Sequence, residues 1–388
     1  MTFGRDTASV IVPESRVLVV NCGSSSVKCA LVDPVSGRRS FSRNEPTSGA
    51  GPADVVAGIL ESMGETELST VVGCGHRIVH GGARFTEPVL VDDDVRGALV
   101  AISELAPLHA PANLAGIDAA RTALPGVPQV AVFDTAFHHT LPPHAYRYAV
   151  PPAWFAEDGV RRFGFHGISH RYVSERAAEL LERPLTELRM VTAHLGNGCS
   201  ATAVRDGLSV DTTMGFTPLE GLVMGTRSGD VDPGALAYVG ARRSLGIEQL
   251  VEQLNSHSGL AALSGVGADM SSIVDAAGEG SSAAQLALEV FTYRLAKSVA
   301  ALAVPLERLD ALVFTGGIGE NVAAVRAMVM SQLAMFGVRA DDVANASHGR
   351  DTEGRISTGS GPVVLVVPTD EERMIARDTA RLVDASKH

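Results

Sequence analysis

An apolar run that enters a Gly/Ser turn and leaves into a second apolar run occurs twice in this chain, and no other pattern restricts its fold as strongly. The first copy is Arg16 to Arg38, RVLVVNCGSSSVKCALVDPVSGR, and the second is Leu188 to Asp211, LRMVTAHLGNGCSATAVRDGLSVD. Each reads as a strand, a tight polar turn and a returning strand, followed by an Asp-led turn, with no helix intervening. Gly23 and Asp33 are ten residues apart, as are Gly196 and Asp206, and Ala30 matches Ala203, so the copies align without a gap across the turn. A repeat at the head of each half predicts an internal duplication, two related α/β domains with their turns facing across one cleft. The first turn, Asn21 to Ser26 with Lys28 two residues beyond, offers hydroxyls, backbone N–H groups and a point charge suited to a phosphate. The same composition equally suits a plain hairpin. It is not a P-loop, because no Gly-x-x-x-x-Gly-Lys-Ser/Thr pattern occurs.

The length of 388 residues exceeds what a single core usually serves, which also predicts two domains. A net charge of −12 argues against general binding to nucleic acid or a membrane surface, so an anionic substrate needs local positive charge. Cys22, Cys29, Cys74 and Cys199 form no CxxC or paired framework, which fits a reduced cytoplasmic protein. Residues 1–15 lack a signal-peptide core and read as a loose tail. The first domain is expected over 16–163 plus 369–388, and the second over 164–368, with the Pro-rich stretch Leu141 to Gly164 as the crossing.

Between the two copies, Arg77 leaves a strand that runs into Gly81-Gly82. It reads as a surface ion-pairing residue or as an anion ligand. Asp134 follows the apolar strand Gln129 to Phe133, at the carboxyl end where ligands bind in α/β folds, although a helix N-cap is the competing reading. The segment Met214 to Gly234 carries Arg227 in a long loop without periodicity, a kind of loop that is more often functional than not. Gly316 to Asn321 is a glycine turn between a buried strand and a helix expected over Val322 to Leu333, an arrangement open to close backbone approach by a nucleotide. Thr369 and Glu372 fit a capping box, which leaves Glu371 for another role.

Taken together, VVNCGSSSVKCAL (Val19 to Leu31), HLGNGCSATA (His194 to Ala203), GHRIVHGG, VFDTAFH, RRFGFHGISH, MGTRSGD, GGIGEN and PTDEE resemble, in order, the acetate kinase family of the acetate and sugar kinase, Hsp70 and actin superfamily. The resemblance implies two duplicated actin-like (ribonuclease H-like) domains, each a mixed five-stranded sheet flanked by helices. It implies Mg²⁺-dependent (or Mn²⁺-dependent) transfer of the ATP γ-phosphoryl group to acetate, giving acetyl phosphate and ADP. Arg77 and Arg227 would bind the carboxylate and phosphoryl oxygens, His166 would hydrogen-bond to the transition state, and Asp134 would orient an arginine or the metal shell. Asn21 and Glu371 match the family's magnesium positions. The nucleotide would lie against Lys28, His194, Leu195, Gly196, Asn197 and Gly198, with Asp269, Met270, Ser271, Gly317, Ile318, Gly319, Glu320 and Asn321 around the adenosine. Ser271 departs from the arginine common there, which bears on nucleotide preference. Val79, Leu108, Phe165 and Pro218 would line an apolar pocket for the acyl methyl, and a homodimer joined through the second domain is expected. A propionate or butyrate kinase differs only in pocket depth. A non-catalytic actin-like or Hsp70-like nucleotide-binding protein would keep the turns and lose the acyl site, and a sugar kinase would want a carboxylate base and a polar pocket.

Overall fold

A computed structural model describes residues 15–387 other than Ser24, Ser48 and Leu108. The expected tail at 1–15, apart from Ser15, and the pocket residue Leu108 therefore lie outside the described residues. By packing, the chain divides into one unit that runs through Gly81 and takes in Glu87–Phe133 and the chain from Glu372 on, and another made of Gly82–Thr86 and Asp134–Glu371. The break near Phe133 falls earlier than the expected boundary at 163/164. Its cause is visible in Arg162, whose Nη1 donates to the carbonyls of Thr212, Thr213 and Met214 at 3.1, 2.9 and 3.0 Å. His138 likewise sits 2.8 Å from Ser209 Oγ, so the Pro-rich crossing is built into the second unit.

In the first unit, β1 (Arg16–Cys22), β2 (Ser26–Val32), β3 (Arg39–Pro46), β4 (Val71–Ile78), β5 (Val89–Leu90) and β6 (Gln129–Phe133) form one sheet in the order β3-β2-β1-β4-β6-β5. The β1–β2–β3 meander is antiparallel, while β4 and β6 add in parallel. Two-residue β5 makes this sheet six-stranded rather than five-stranded. β1 is buried almost throughout because helices cover both faces, so it reads as a continuous apolar run rather than an alternating one. Helix Ala110–Ala123 approaches β1 through Gly116, where a Cβ would come within 2.8 Å of Cys22 Cβ. The C-terminal helix Glu371–Ala385 crosses β4 over Gly75, where a Cβ would meet Thr379 Oγ1 at 2.4 Å.

The second unit repeats this plan. β7 (Arg189–Leu195), β8 (Cys199–Arg205), β9 (Leu208–Thr212), β10 (Ala311–Thr315) and β11 (Val363–Val366) are ordered β11-β10-β7-β8-β9, again an antiparallel meander with two parallel additions. The long helix Ser282–Ala303 buries Ala284, Leu288, Phe291, Leu295, Val299 and Leu302, a stripe at steps of three and four that suits one helical face against β7 and β8. The duplication is thus real at the level of topology, but the ungapped alignment is not. Cys22 pairs with Val27 around four turn residues, whereas Leu195 pairs with Cys199 around three.

Candidate active site

In the first unit, Asn21 lies near the end of β1 and Arg77 near the end of the adjacent parallel strand β4. Arg77 Nη1 donates to Asn21 Oδ1 over a long 3.4 Å. Lys28, expected at the nucleotide, pairs instead with Glu372 Oε1 at 2.6 Å, and Arg39 binds the other oxygen of that carboxylate. Burial alone would raise the Glu372 carboxyl, but Lys28 and Arg39 hold it below its ordinary value. Thr369 turns its hydroxyl to Ser169 at 2.8 Å, so both members of the expected capping box are engaged elsewhere. Val79 is buried beside β4, its N–H donating to Asn113 Oδ1 at 3.1 Å.

The second unit gathers more of the expected residues. Asp134 is buried, and its main-chain oxygen accepts from Gly167 N at 2.8 Å. The short helix beyond it, Ala136–Thr140, has Thr135 at its N-cap, which removes the competing reading of Asp134 as that cap. His166 adopts a left-handed backbone (φ +57°) and is the N-cap of helix Gly167–Leu180. Its ring lies 4.4 Å from that of His194, centroid to centroid.

A Cβ built on Gly198 would stand 3.4 Å from both His166 Nε2 and Arg227 Nη1, which places these three residues around one point. Arg227 is half-buried and donates to Pro218 O at 3.3 Å, with Met224 Sδ at 3.8 Å. Among the described residues it has no carboxylate partner. Desolvation lowers its pKa from the usual guanidinium value, a sign of positive charge held without an anion. Phe165 is buried, its carbonyl 3.0 Å from His138 Nε2.

The nucleotide candidates fall into distinct settings. The turn from Leu195 to Gly198 is closed by Gly196 N donating to Gly198 O at 3.0 Å, and Asn197 is exposed at its tip. Gly316 to Asn321 forms a six-residue helix of its own, separated by Val322 from helix Ala323–Gln332. Gly317 is exposed, with nothing within 4 Å of a Cβ placed there, while Ile318 and Gly319 are buried. Glu320 Oε1 accepts from Gly316 N at 2.9 Å and Thr369 N at 3.1 Å, and Asn321 Nδ2 donates to Gly317 O at 2.9 Å, so both side chains brace the turn. Asp269 caps helix Met270–Gly278 through Ser272 N at 2.8 Å; Met270 is buried and Ser271 exposed.

Sequence reasoning missed Arg326. Fully buried, it donates to Gly319 O (2.8 Å), Glu320 O (3.0 Å), Asn345 Oδ1 and O (both 2.8 Å), and lies 3.0 Å from His348 Nδ1. It holds the glycine turn from beneath, and desolvation brings its pKa down to about 10. An arginine inside the predicted helix Val322 to Leu333 gave the one available signal.

Among the described residues no group of three or more His, Cys, Asp or Glu could hold a metal ion, and no helix is long and apolar enough to cross a membrane. The amide oxygen of Asn21 and the carboxylate of Glu371 are each hard donors of the kind Mg²⁺ prefers. A duplicated actin-like plan, with an arginine and a histidine around a glycine turn, suits a phosphotransferase. The acetokinase family's profile matches residues 42–377. The acetate kinase of Deinococcus radiodurans is 50% identical, with 94% of this chain and 98% of that protein covered. The crystal structure of Porphyromonas gingivalis acetate kinase is 39% identical, with TM-score 0.87 and coverage of 95% and 100%. That of a propionate kinase from Francisella tularensis is 40% identical, with TM-score 0.89 and coverage of 95% and 99%. The chain belongs to the acetokinase family and is a phosphotransferase with a carboxyl group as acceptor. The family implies ATP or ADP as co-substrate, a divalent metal and acetate as acceptor.

Proposed function

We propose that this enzyme transfers the ATP γ-phosphoryl group reversibly and directly to acetate, giving acetyl phosphate and ADP. The observation that carries the reading is Arg227, a half-buried cation without a carboxylate partner among the described residues, set with His166 around Gly198. An anion must complete such a site, and a transferring phosphoryl group spreads its charge over oxygens that an arginine fork meets bidentately. Acetate is ionised at neutral pH and already nucleophilic, so the site needs no strong base. Alignment and charge cancellation then carry the rate.

In this assignment Arg77 and Arg227 bind the carboxylate and phosphoryl oxygens, and His166 donates to the transition state. Asp134 orients an arginine or the metal shell. His194 to Gly198 face the nucleotide phosphates, and residues 317–321 with 269–271 approach the adenosine. Asn21 and Glu371 would hold the metal, Mg²⁺ by the hardness of their oxygens, and it would supply neutralisation of phosphate charge. A homodimer joined through the second unit completes the proposal. Relatives named acetate kinase at about 50% identity favour acetate over propionate, although the Francisella tularensis propionate kinase keeps the longer acid as a second reading. Arg227→Ala should lose about 3 kcal/mol of transition-state stabilisation, roughly a hundredfold in turnover by hydroxamate capture of the acyl phosphate. Near-normal turnover at saturating substrates would refute the assignment.

A further inference from the structure

Behind His166 runs a hydrogen-bonded chain of buried side chains. His166 Nδ1 lies 2.9 Å from Ser200 Oγ, Ser200 Oγ lies 2.8 Å from His170 Nε2, and His170 Nδ1 lies 2.7 Å from Thr192 Oγ1. Thr192, His170 and Ser200 are each fully buried. We propose that His170 is a positioning residue which, through Ser200, fixes His166 as the tautomer with its proton on Nε2. The proposal rests on the reading of His166 as a donor to the transferring group.

The far end of the chain sets its direction. Among the described residues the Thr192 hydroxyl makes one side-chain hydrogen bond, to His170, and a buried hydroxyl proton without an acceptor costs about 1–3 kcal/mol. Thr192 therefore donates, and His170 Nδ1 accepts. His170 has the rings of His138, His194 and His166 beside it, 5.8, 6.4 and 6.5 Å away, and no carboxylate partner among the described residues, so it stays neutral and carries its proton on Nε2. That proton goes to Ser200 Oγ, and the Ser200 hydroxyl proton then has His166 Nδ1 as acceptor. A neutral imidazole accepting at Nδ1 presents Nε2–H to the space beside Gly198 that Arg227 also faces. The opposite tautomer would present a lone pair to a phosphoryl oxygen and repel it.

The test is long-range ¹H–¹⁵N spectroscopy of the full-length protein labelled at histidine, at about pH 8, where an ordinary imidazole is neutral. Loss of signals in His166→Asn assigns the ring. The expected wild-type result is a protonated Nε2 and an unprotonated, accepting Nδ1. His170→Leu should mix the two tautomers and lower kcat roughly tenfold, the scale of one lost donor interaction, with KM within about twofold. His170→Gln, whose amide N–H can donate to Ser200, should recover most of that loss. A wild-type His166 protonated at Nδ1, or an unchanged tautomer in His170→Leu, overturns the proposal, and the wild-type spectrum decides even if the leucine variant does not fold. An Nε2–H ring together with normal turnover in His166→Ala would instead overturn the donor reading beneath it.

Discussion

Gly198→Ala separates folding from chemistry more cleanly than deletion of either charged group. The added Cβ would lie 3.4 Å from Arg227 Nη1 and from His166 Cε1 and Nε2, ordinary van der Waals contact, and Gly198 does not need a left-handed backbone. The fold should therefore accept alanine, and reduced freedom in the unfolded chain should add about 0.4–1 kcal/mol of stability. A phosphoryl oxygen accepting from both donors on the Gly198 side must sit about 2.8 Å from each nitrogen, and a carbon atom keeps oxygen at about 3.3 Å or more. The methyl occupies space that oxygen needs. Losing one of two preorganised donors costs about 3 kcal/mol, roughly a hundredfold in kcat/KM. Differential scanning fluorimetry should show a melting temperature unchanged or slightly raised, and hydroxamate capture should show the kinetic loss. A folded variant with kcat/KM within about threefold of the parent would show that the phosphoryl group is not held on this face.

Burial lowers the pKa of His76, His80 and His138 to about 4, from an ordinary value of 6.5. The folded state then binds fewer protons than the unfolded state between those limits, so these groups give stability that is full above pH 6.5 and lost as pH falls toward 4. Urea denaturation across that window should show stability falling by up to about 1.4 kcal/mol per pH unit for each histidine, and a flat profile would refute neutral burial. Arg326→Met would strip donors from the buried acceptors Gly319 O, Asn345 O and Asn345 Oδ1, and chemical denaturation should register a loss of about 3 kcal/mol or more despite removal of a buried charge. A small loss would mean that the turn supports itself. Each methylene added to the acid should change kcat/KM by about 1–3 kcal/mol in free energy, and equal values for acetate and butyrate would refute the apolar pocket.

Much of the fold was legible because periodicity and turn chemistry are local. The strand Gln129 to Phe133 and the repeated meanders could be read in place, and Arg77 falls near the end of β4, where the strand pattern put it. Partners distant in sequence could not be read. Lys28 looked like a spare cation because its counter-ion, Glu372, lies at the other end of the chain, where a capping box offered a local explanation. Arg326 meets Asn345 only after two helices have packed, and His170 meets Thr192 and Ser200 only once β7 and β8 have paired in register beneath its helix.

The deepest disagreement concerns the two turns. Matching residue types on either side of Gly23 and Gly196 made an ungapped alignment look natural, because a strand's apolar pattern tolerates a one-residue slip when both faces are buried. The register shows that the turns differ by one residue, four between Cys22 and Val27 against three between Leu195 and Cys199. A shorter turn returns the chain sooner and sets the glycine backbone at 198 against Arg227 and His166. The longer turn in the first copy is followed on β2 by Lys28, whose ammonium pairs with Glu372. In the proposed assignment the copies divide their labour through turn length, and the turn of the second unit is the one that takes the anion. Inserting one residue at Asn197 should abolish transfer while leaving both sheets intact by circular dichroism.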